Sequence, residues 1–286
     1  MNNIDRLFIK VKNSSPICLG LDTAYDYLPS FIKDKSISLS EKIFLFNKGI
    51  IDSTKDEVAC FKTQIAYYEV MGIEGLLAYS KTIKYIREND ALVIGDIKRG
   101  DIAQTAAMYA KAHFEGEFEV DFITLSPYMG MDSIEPYLPY VEKGKGLFVL
   151  VRTSNNGAKD FQFVSDGDNA LYEIVGNKIN DLGKKYIGQY GYSSIGMVLG
   201  ATHSFETLKL RQKWNDSFFL IPGYGAQGGK GDDIKNYLQN GEGGVVNSSR
   251  GILLAFKKES RNELDFGKWA HEECIIMKND ISKAVN

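Results

Sequence analysis

The sequence predicts an α/β fold, specifically a TIM (β/α)8 barrel that occupies residues 1–286 as a single domain. Three observations predict it. Eight short apolar runs recur along the chain, and a helical spacing of apolar residues separates most of them. The length of 286 residues suits one large α/β domain or two small ones. We find no internal repeat, low-complexity tract or domain linker in the sequence.

The candidate strands are apolar at consecutive positions in several cases, as expected for parallel strands that are covered on both faces. They lie at residues 17–22, 58–63, 92–98, 120–126, 146–154, 195–202, 218–223 and 243–249. Eight β/α units within about 250 residues favour a barrel. A doubly wound open sheet is the alternative that the pattern leaves open.

Helical patterns follow most of the strands. The first, at residues 38–52, opens with Ser38 three positions before Glu41, which is the spacing of a capping box. The other predicted helices lie at residues 73–86, 101–114, 131–144, 171–186 and 232–241. Two prolines limit the regularity of the helix at 131–144. The connection at residues 155–168 is long enough for a lid or binding loop, although a solvated insertion fits equally well.

Composition argues against several classes of protein. The net charge of −3, without a long basic run, argues against a nucleic-acid partner. No apolar run approaches the roughly 18 residues of a membrane span, and the first residues lack a signal peptide, so we expect a cytoplasmic protein. Cys18 and Cys60 lie within apolar runs and are expected to be buried. The histidines lack zinc-site spacing, and no metal site is expected.

The third apolar run ends in alternating acids and bases, in the segment GDIKRGD. On a strand, Asp96 and Lys98 share one face and Ile97 takes the other. Lys62 ends the second run in the same way, and a lysine buried there is costly unless it is paired. We therefore expect these charges to pair at the carboxyl-terminal face, where barrels have their active sites. A purely structural role also stays open, in which Asp101 simply caps the next helix.

The D-x-K-x-x-D motif at residues 96–101, followed by Ile102 and Thr105, closely resembles the signature of the orotidine 5'-monophosphate decarboxylase family. Five other segments match that family in chain order, namely ICLGLD, CFKTQ, VRTSNNG, PGYGAQGG and NSSRG. The hexapeptide alone is a weak signal, but six elements in the right order are specific, and they cover most of the chain. The length and the form GDIKRGDI are similar to the longer, bacterial-type (type 2) branch.

The resemblance implies cofactor-free decarboxylation of orotidine 5'-monophosphate (OMP) to uridine 5'-monophosphate (UMP) in de novo pyrimidine biosynthesis. Lys98 would stabilise the carbanion at C6 of the pyrimidine and then protonate it. The catalytic residues implied are the Lys-Asp-Lys-Asp array of Lys62, Asp96, Lys98 and Asp101. The substrate-binding residues implied are Asp22 and Lys62 at the ribose, Ser154 at the pyrimidine, Gln227 and Arg250 at the phosphate, and Thr105.

The resemblance also implies a homodimer, in which Asp101 and Thr105 enter the partner's site. Neither nucleic acid nor a membrane is implied as a partner. The segment GYGAQGGKG exposes backbone N–H groups, and the helix predicted after it would add its N-terminus to a phosphate site. Gln227, Tyr224 or backbone amides could each make the main contact of that loop.

Other functions remain open at this point. Gly223–Gly228 is a formal G-x-G-x-x-G and fits an NAD(P)-binding oxidoreductase, although the next strand ends in Asn247 and not in an acid. A magnesium-dependent sugar-phosphate decarboxylase or isomerase of the same superfamily would also keep D-x-K-x-x-D. A catalytically silent phosphate-ligand binding protein and a Schiff-base aldolase that acts through Lys62 are further alternatives.

Overall fold

A computed structural model describes residues 1–201, 204–225 and 230–285, apart from the side chains of 204–206. Its strands form one closed parallel barrel in chain order. Ile17 on the first strand pairs with Val246 on the last, which closes the barrel and excludes the open doubly wound sheet. The strands are β1 Ile17–Gly20, β2 Cys60–Gln64, β3 Val93–Arg99, β4 Phe122–Leu125, β5 Gly146–Arg152, β6 Ser193–Leu199, β7 Ser217–Pro222 and β8 Gly244–Ser248.

Helices surround this barrel, and each predicted helical segment overlaps at least one of them. The α-helices within the described residues are α1 Asn3–Asn13, α2 Ser30–Lys33, α3 Leu39–Thr54, α4 Ala66–Glu69, α5 Gly72–Glu88, α6 Ala103–Phe114, α7 Leu138–Glu142, α8 Leu171–Gly183, α9 Ser204–Lys213, α10 Gly231–Ile234, α11 Arg250–Leu253 and α12 Phe266–Val285. The side chain of Ser38 accepts a hydrogen bond from the Glu41 N–H and caps α3, as its spacing predicts.

Two predicted helices are shorter in the structure than the sequence suggests. The 131–144 segment forms two 3₁₀ turns before the five residues of α7, because its prolines lack an N–H for regular helix bonding. The 232–241 segment contains only the last part of the four-residue α10 and a 3₁₀ turn at Lys235–Tyr237. The expected helix N-terminus for phosphate is therefore a single turn with little dipole of its own.

Two apolar layers hold the barrel together. The larger lies between the strands and the outer helices and includes Ile97, which points away from the barrel axis as predicted. The smaller fills the barrel interior with residues such as Phe122 and Phe148, and Leu7 and Phe8 of α1 pack against it. These interior contacts place α1 across the amino-terminal end of the barrel. The opposite, carboxyl-terminal end is left for polar side chains.

The cysteine prediction is confirmed, since Cys18, Cys60 and Cys274 are all buried and free. Among the described residues, no helix has both the length and the apolar character that crossing a bilayer requires. The same described ranges contain no group of three or more His, Cys, Asp or Glu side chains arranged to hold a metal ion.

Candidate active site

The structure brings together Lys62, Asp96 and Lys98, which the sequence places at the ends of neighbouring strands. Lys62 Nζ lies 3.0 Å from Asp96 Oδ2, and Lys98 Nζ lies 2.5 Å from Asp96 Oδ1. The Lys62 and Asp96 side chains are only 5% and 9% exposed, whereas that of Lys98 is 44% exposed. Asp96 thus separates a buried ammonium from one that reaches open space.

Asp96 has every acceptor position filled. Besides the two lysines, it accepts hydrogen bonds from Gln64 Nε2 (3.1 Å) and from Thr124 Oγ1 (2.9 Å). Gln64 lies beside Asp96 in the pairing of β2 with β3, and Thr124 belongs to β4. Four donors on one carboxylate fix its orientation, so the position of each ammonium is fixed as well.

Burial and the neighbouring charges shift the pKa values of Asp96 and Lys62 in opposite directions, and the neighbouring charges have the larger effect. Burial by itself would raise the pKa of Asp96, but Lys62 and Lys98 more than offset it, and the pKa lies well below its usual range. Burial would likewise lower the pKa of Lys62, but Asp22 and Asp96 outweigh it and raise the pKa above the ordinary lysine value. Both groups therefore stay charged around neutral pH.

Asp22 joins the cluster from the loop after β1. Its Oδ1 lies 3.2 Å from Lys62 Nζ, and its Oδ2 accepts a hydrogen bond from Ser249 Oγ at 2.7 Å. Ser249 follows β8, so this contact ties the first strand to the last. Gly20 makes it possible, because a Cβ atom at that position would collide with Ser249 Oγ.

A cavity of about 240 Å³ opens above the cluster. Lys62, Asp96 and Lys98 line it, and so does Ser154, which lies two residues after the end of β5. Apolar side chains complete the wall, among them Leu150, Val198 and Leu220. A small cavity that combines two ammoniums with apolar walls suits an anionic ligand that also has an apolar part.

Arg250 lies on the same face of the barrel, as the exposed first residue of α11 directly after β8. Its proposed contact with a ligand phosphate stays a prediction of the resemblance. Gln227 lies outside the described residues, as do Ala226, Gly228 and Gly229. Within the same loop Tyr224 is described, and its hydroxyl donates to Asp280 on α12 at 2.7 Å.

Asp101 and Thr105 stand apart from the cluster. Within the described residues of one chain, no hydrogen bond or ion pair joins either of them to Lys62, Asp96 or Lys98. The Asp101 carboxylate accepts from the N–H of Ile102 (2.8 Å), and Ile102 is the N-cap of α6. The expectation that Asp101 itself caps or begins this helix is wrong, because α6 starts two residues later. Thr105 is exposed on the first turn of α6.

The long connection after β5 is attached to the strand end. Gln162 Oε1 accepts from the N–H of Thr153 (2.9 Å), and Gln162 Nε2 donates to Thr153 Oγ1 (2.7 Å). A second, mostly apolar cavity of about 600 Å³ lies under this segment and shares Leu150 and Thr153 with the first. The segment thus begins beside the cavity that the charged residues line, although most of its residues are exposed.

Sequence reasoning missed Gln64, Thr124 and Ser249. For Gln64 a signal existed, because it follows Lys62 by two positions and so shares its strand face. Thr124 and Ser249 carry no such signal, because their partners lie on other strands whose register the sequence does not give.

Comparison with known proteins agrees with this geometry. A family model described as "Orotidine 5'-phosphate decarboxylase / HUMPS family" matches residues 15–263. A protein named orotidine 5'-phosphate decarboxylase from Clostridium tetani is 58% identical over 285 residues, which cover 99% of this chain and 99% of that one. A protein of the same name from Clostridium kluyveri is 59% identical over 282 residues, with 98% and 97% covered.

The chain belongs to the orotidine 5'-phosphate decarboxylase family. Solved structures agree. The OMP decarboxylase of Leishmania donovani superposes with a TM-score of 0.75 at 31% identity and covers 99% of this chain and 100% of its own. A putative orotidine-monophosphate-decarboxylase from Toxoplasma gondii gives a TM-score of 0.80 at 28% identity, with 98% of each chain covered. Membership confirms the resemblance found in the sequence and identifies the chain as one of a family of carboxy-lyases.

The same comparison removes the oxidoreductase alternative for Gly223–Gly228. The dinucleotide-binding motif belongs to an open, doubly wound sheet. Here the glycines follow the seventh strand of a closed barrel, where loops commonly bind phosphate. The described part of the segment, up to Gly225, has positive φ angles of 112° at Gly223 and 72° at Gly225. Such angles favour glycine and explain why the sequence has it at both positions.

Proposed function

We propose that this single-domain chain decarboxylates OMP to UMP and carbon dioxide in pyrimidine biosynthesis, with no cofactor and with Lys98 as the proton donor. The observation that carries the proposal is the Lys62–Asp96–Lys98 cluster, which lines a 240 Å³ cavity at the carboxyl-terminal end of the barrel. The names of relatives that match nearly the whole chain support it, because they favour OMP over a sugar phosphate as substrate.

The proposed chemistry follows from where the charges lie. Loss of carbon dioxide leaves an electron pair on C6 of the pyrimidine, and that carbon has no adjacent electron sink. An ammonium already fixed beside C6 stabilises this charge without reorganisation and then delivers its proton. Lys98 suits the task because it combines a fixed partner, Asp96 at 2.5 Å, with a side chain that is 44% exposed and lines the cavity.

The remaining proposed roles concern binding. Lys62 and Asp22, 3.2 Å apart, would hold the ribose hydroxyls, and Ser154 would face the pyrimidine. Arg250 and Gln227 would hold the phosphate, which lies at the far end of the substrate. Binding energy from that remote group is available to keep the reacting carbon beside Lys98.

We further propose that two copies of the chain assemble and that Asp101 and Thr105 complete the partner's site. Support comes from both residues, since Thr105 is exposed and Asp101 is half-buried. Neither joins Lys62, Asp96 and Lys98 within the described part of one chain, so the Lys-Asp-Lys-Asp array is incomplete there. Apolar side chains are exposed at α6, with Ile102 at 45% and Met108 at 51%, and Tyr128, shortly after β4, is 80% exposed. A second copy would cover such a surface.

Turnover of OMP tests the proposed reaction. Purified protein is incubated with OMP in the presence of EDTA, and the ultraviolet absorbance of the substrate is followed, with Lys98→Ala as control. We expect metal-independent loss of OMP by the wild type and none by the variant. A folded wild-type protein without turnover would refute the proposal and direct attention to the magnesium-dependent sugar-phosphate alternative.

Mixing two inactive variants tests the shared site. Lys98→Ala and Asp101→Ala chains are mixed, dissociated in mild denaturant and reassociated. If Asp101 acts in the partner, each hybrid dimer contains one intact site and one doubly altered site, so a random mixture recovers about a quarter of the wild-type activity. Activity that stays at the level of the separate variants would exclude a shared site.

A further inference from the structure

β3 bulges at the residues that carry the chemistry. Gly95 pairs with Ile123 on β4, but the next pair along the ladder is Arg99 with Leu125. Four steps along β3 therefore match two steps along β4, and two residues of β3 are additional. Within the bulge, Lys98 has a φ angle of +44°, a left-handed conformation that is unfavourable for a lysine. Interactions with neighbouring groups must therefore stabilise the left-handed backbone conformation of Lys98.

Thr124 occupies the place where the ladder is interrupted. Its Oγ1 accepts hydrogen bonds from the N–H of Ile97 (3.0 Å) and from the N–H of Lys98 (2.9 Å). The side chain thus supplies the acceptor that a strand carbonyl would give in a regular ladder. Thr124 is 1% exposed and borders the 240 Å³ cavity, so its hydroxyl lies between the strand backbone and the site.

The same hydroxyl has a fixed donor direction. A hydroxyl has one proton and two acceptor positions, and the two backbone N–H groups use both acceptor positions. Its proton is therefore committed to Asp96 Oδ1, at 2.9 Å. That oxygen is also the one that Lys98 Nζ contacts at 2.5 Å. Thr124 consequently holds Lys98 at both ends, through its backbone N–H and through the carboxylate that anchors its ammonium.

We propose that Thr124 is a positioning residue for Lys98, and that its hydroxyl maintains the β3 bulge that directs the ammonium into the cavity. The proposal rests on the proposed function, because it names what Lys98 needs in order to reach C6 of the pyrimidine. Misplacement of a reacting group by about 1 Å costs on the order of 100-fold in rate. Loss of the hydroxyl is expected to act on kcat and to leave product binding nearly unchanged.

Two substitutions separate the hydroxyl from the rest of the side chain. Thr124→Val keeps the shape and removes the hydroxyl, and Thr124→Ser keeps the hydroxyl and removes a methyl group. Thr54→Val is the matched control, because Thr54 is equally buried but donates to the Ile50 carbonyl of α3, away from the site. For each variant, kcat, the Kd of UMP and the exchange rates of the Ile97 and Lys98 amide hydrogens are measured.

We expect Thr124→Val to lower kcat by about 100-fold, to change the Kd of UMP by less than about threefold, and to speed exchange at both amides by at least about tenfold. Thr124→Ser and Thr54→Val should keep the wild-type kcat and the amide protection. Full kcat in Thr124→Val, or an equal loss in Thr124→Ser, would overturn the positioning role. A wild-type chain that fails to turn over OMP would overturn the proposed function, while the exchange rates would still decide whether Thr124 holds the bulge.

Discussion

Asp96 is the residue on which the charged cluster depends, and Asp96→Asn is the substitution with the sharpest predicted consequence. The change preserves shape but removes the negative charge between two ammoniums. Lys62, only 5% exposed, then keeps Asp22 as its ion-pair partner but faces Lys98 without a carboxylate between them. The asparagine NH₂ group would also point a donor at a lysine, because all four present partners of Asp96 are donors.

The cost follows from the burial of the pair. Breaking a buried ion pair by removing one partner typically costs about 3–5 kcal/mol, since the remaining charge is left desolvated. A folded domain has roughly 5–15 kcal/mol of stability in total, so Asp96→Asn should remove a large share of it. Asp232 provides the matched control, because it pairs with Lys235 at the same 3.0 Å distance but is 82% exposed. Asp232→Asn should cost less than about 1 kcal/mol.

Urea denaturation followed by circular dichroism, at neutral pH and one fixed protein concentration, gives the free energy of unfolding of both variants. We expect Asp96→Asn to lose several times more stability than Asp232→Asn. Equal losses would refute the conclusion that burial makes the Lys62–Asp96 pair energetically different from a surface pair.

Two further predictions concern ionisable groups. Lys62 and Lys98 outweigh the effect of burial and hold the pKa of Asp96 below the unfolded value of about 3.9. Its contribution to stability is therefore present above that pH and is lost as the pH falls below it. The free energy of unfolding should drop more steeply between about pH 5 and pH 3 in the wild type than in Asp96→Asn, and parallel curves would contradict this. Burial also raises the pKa of Cys274 to about 12 and that of Cys60 well above its usual value. A thiol reagent at neutral pH should therefore label Cys60 and Cys274 only after denaturation, and rapid labelling of either in the native protein would show that it is accessible.

Much of the fold was predictable because it depends on local patterns. Short apolar runs marked all eight strands, and the capping residue Ser38 marked the start of α3. The short elements were predicted poorly. The sequence at 232–241 has a helical spacing, yet only one α-helical turn forms there. Over so few residues the cost of starting a helix is not repaid, and tertiary contacts decide the outcome.

In the site, too, some features follow from local sequence and others from tertiary packing. Charges at strand ends must be paired when they are buried, so the sequence by itself predicted that Lys62, Asp96 and Lys98 would pair at the carboxyl-terminal face. The same reasoning included Asp101, which lies apart from this cluster in one chain. Only the tertiary structure decided which neutral groups orient them. Ser249 and Asp22 lie 227 residues apart, and their contact exists because β8 closes against β1. Thr124 reaches the backbone of Lys98 because β3 bulges beside β4, and such a register depends on how two distant strands pack.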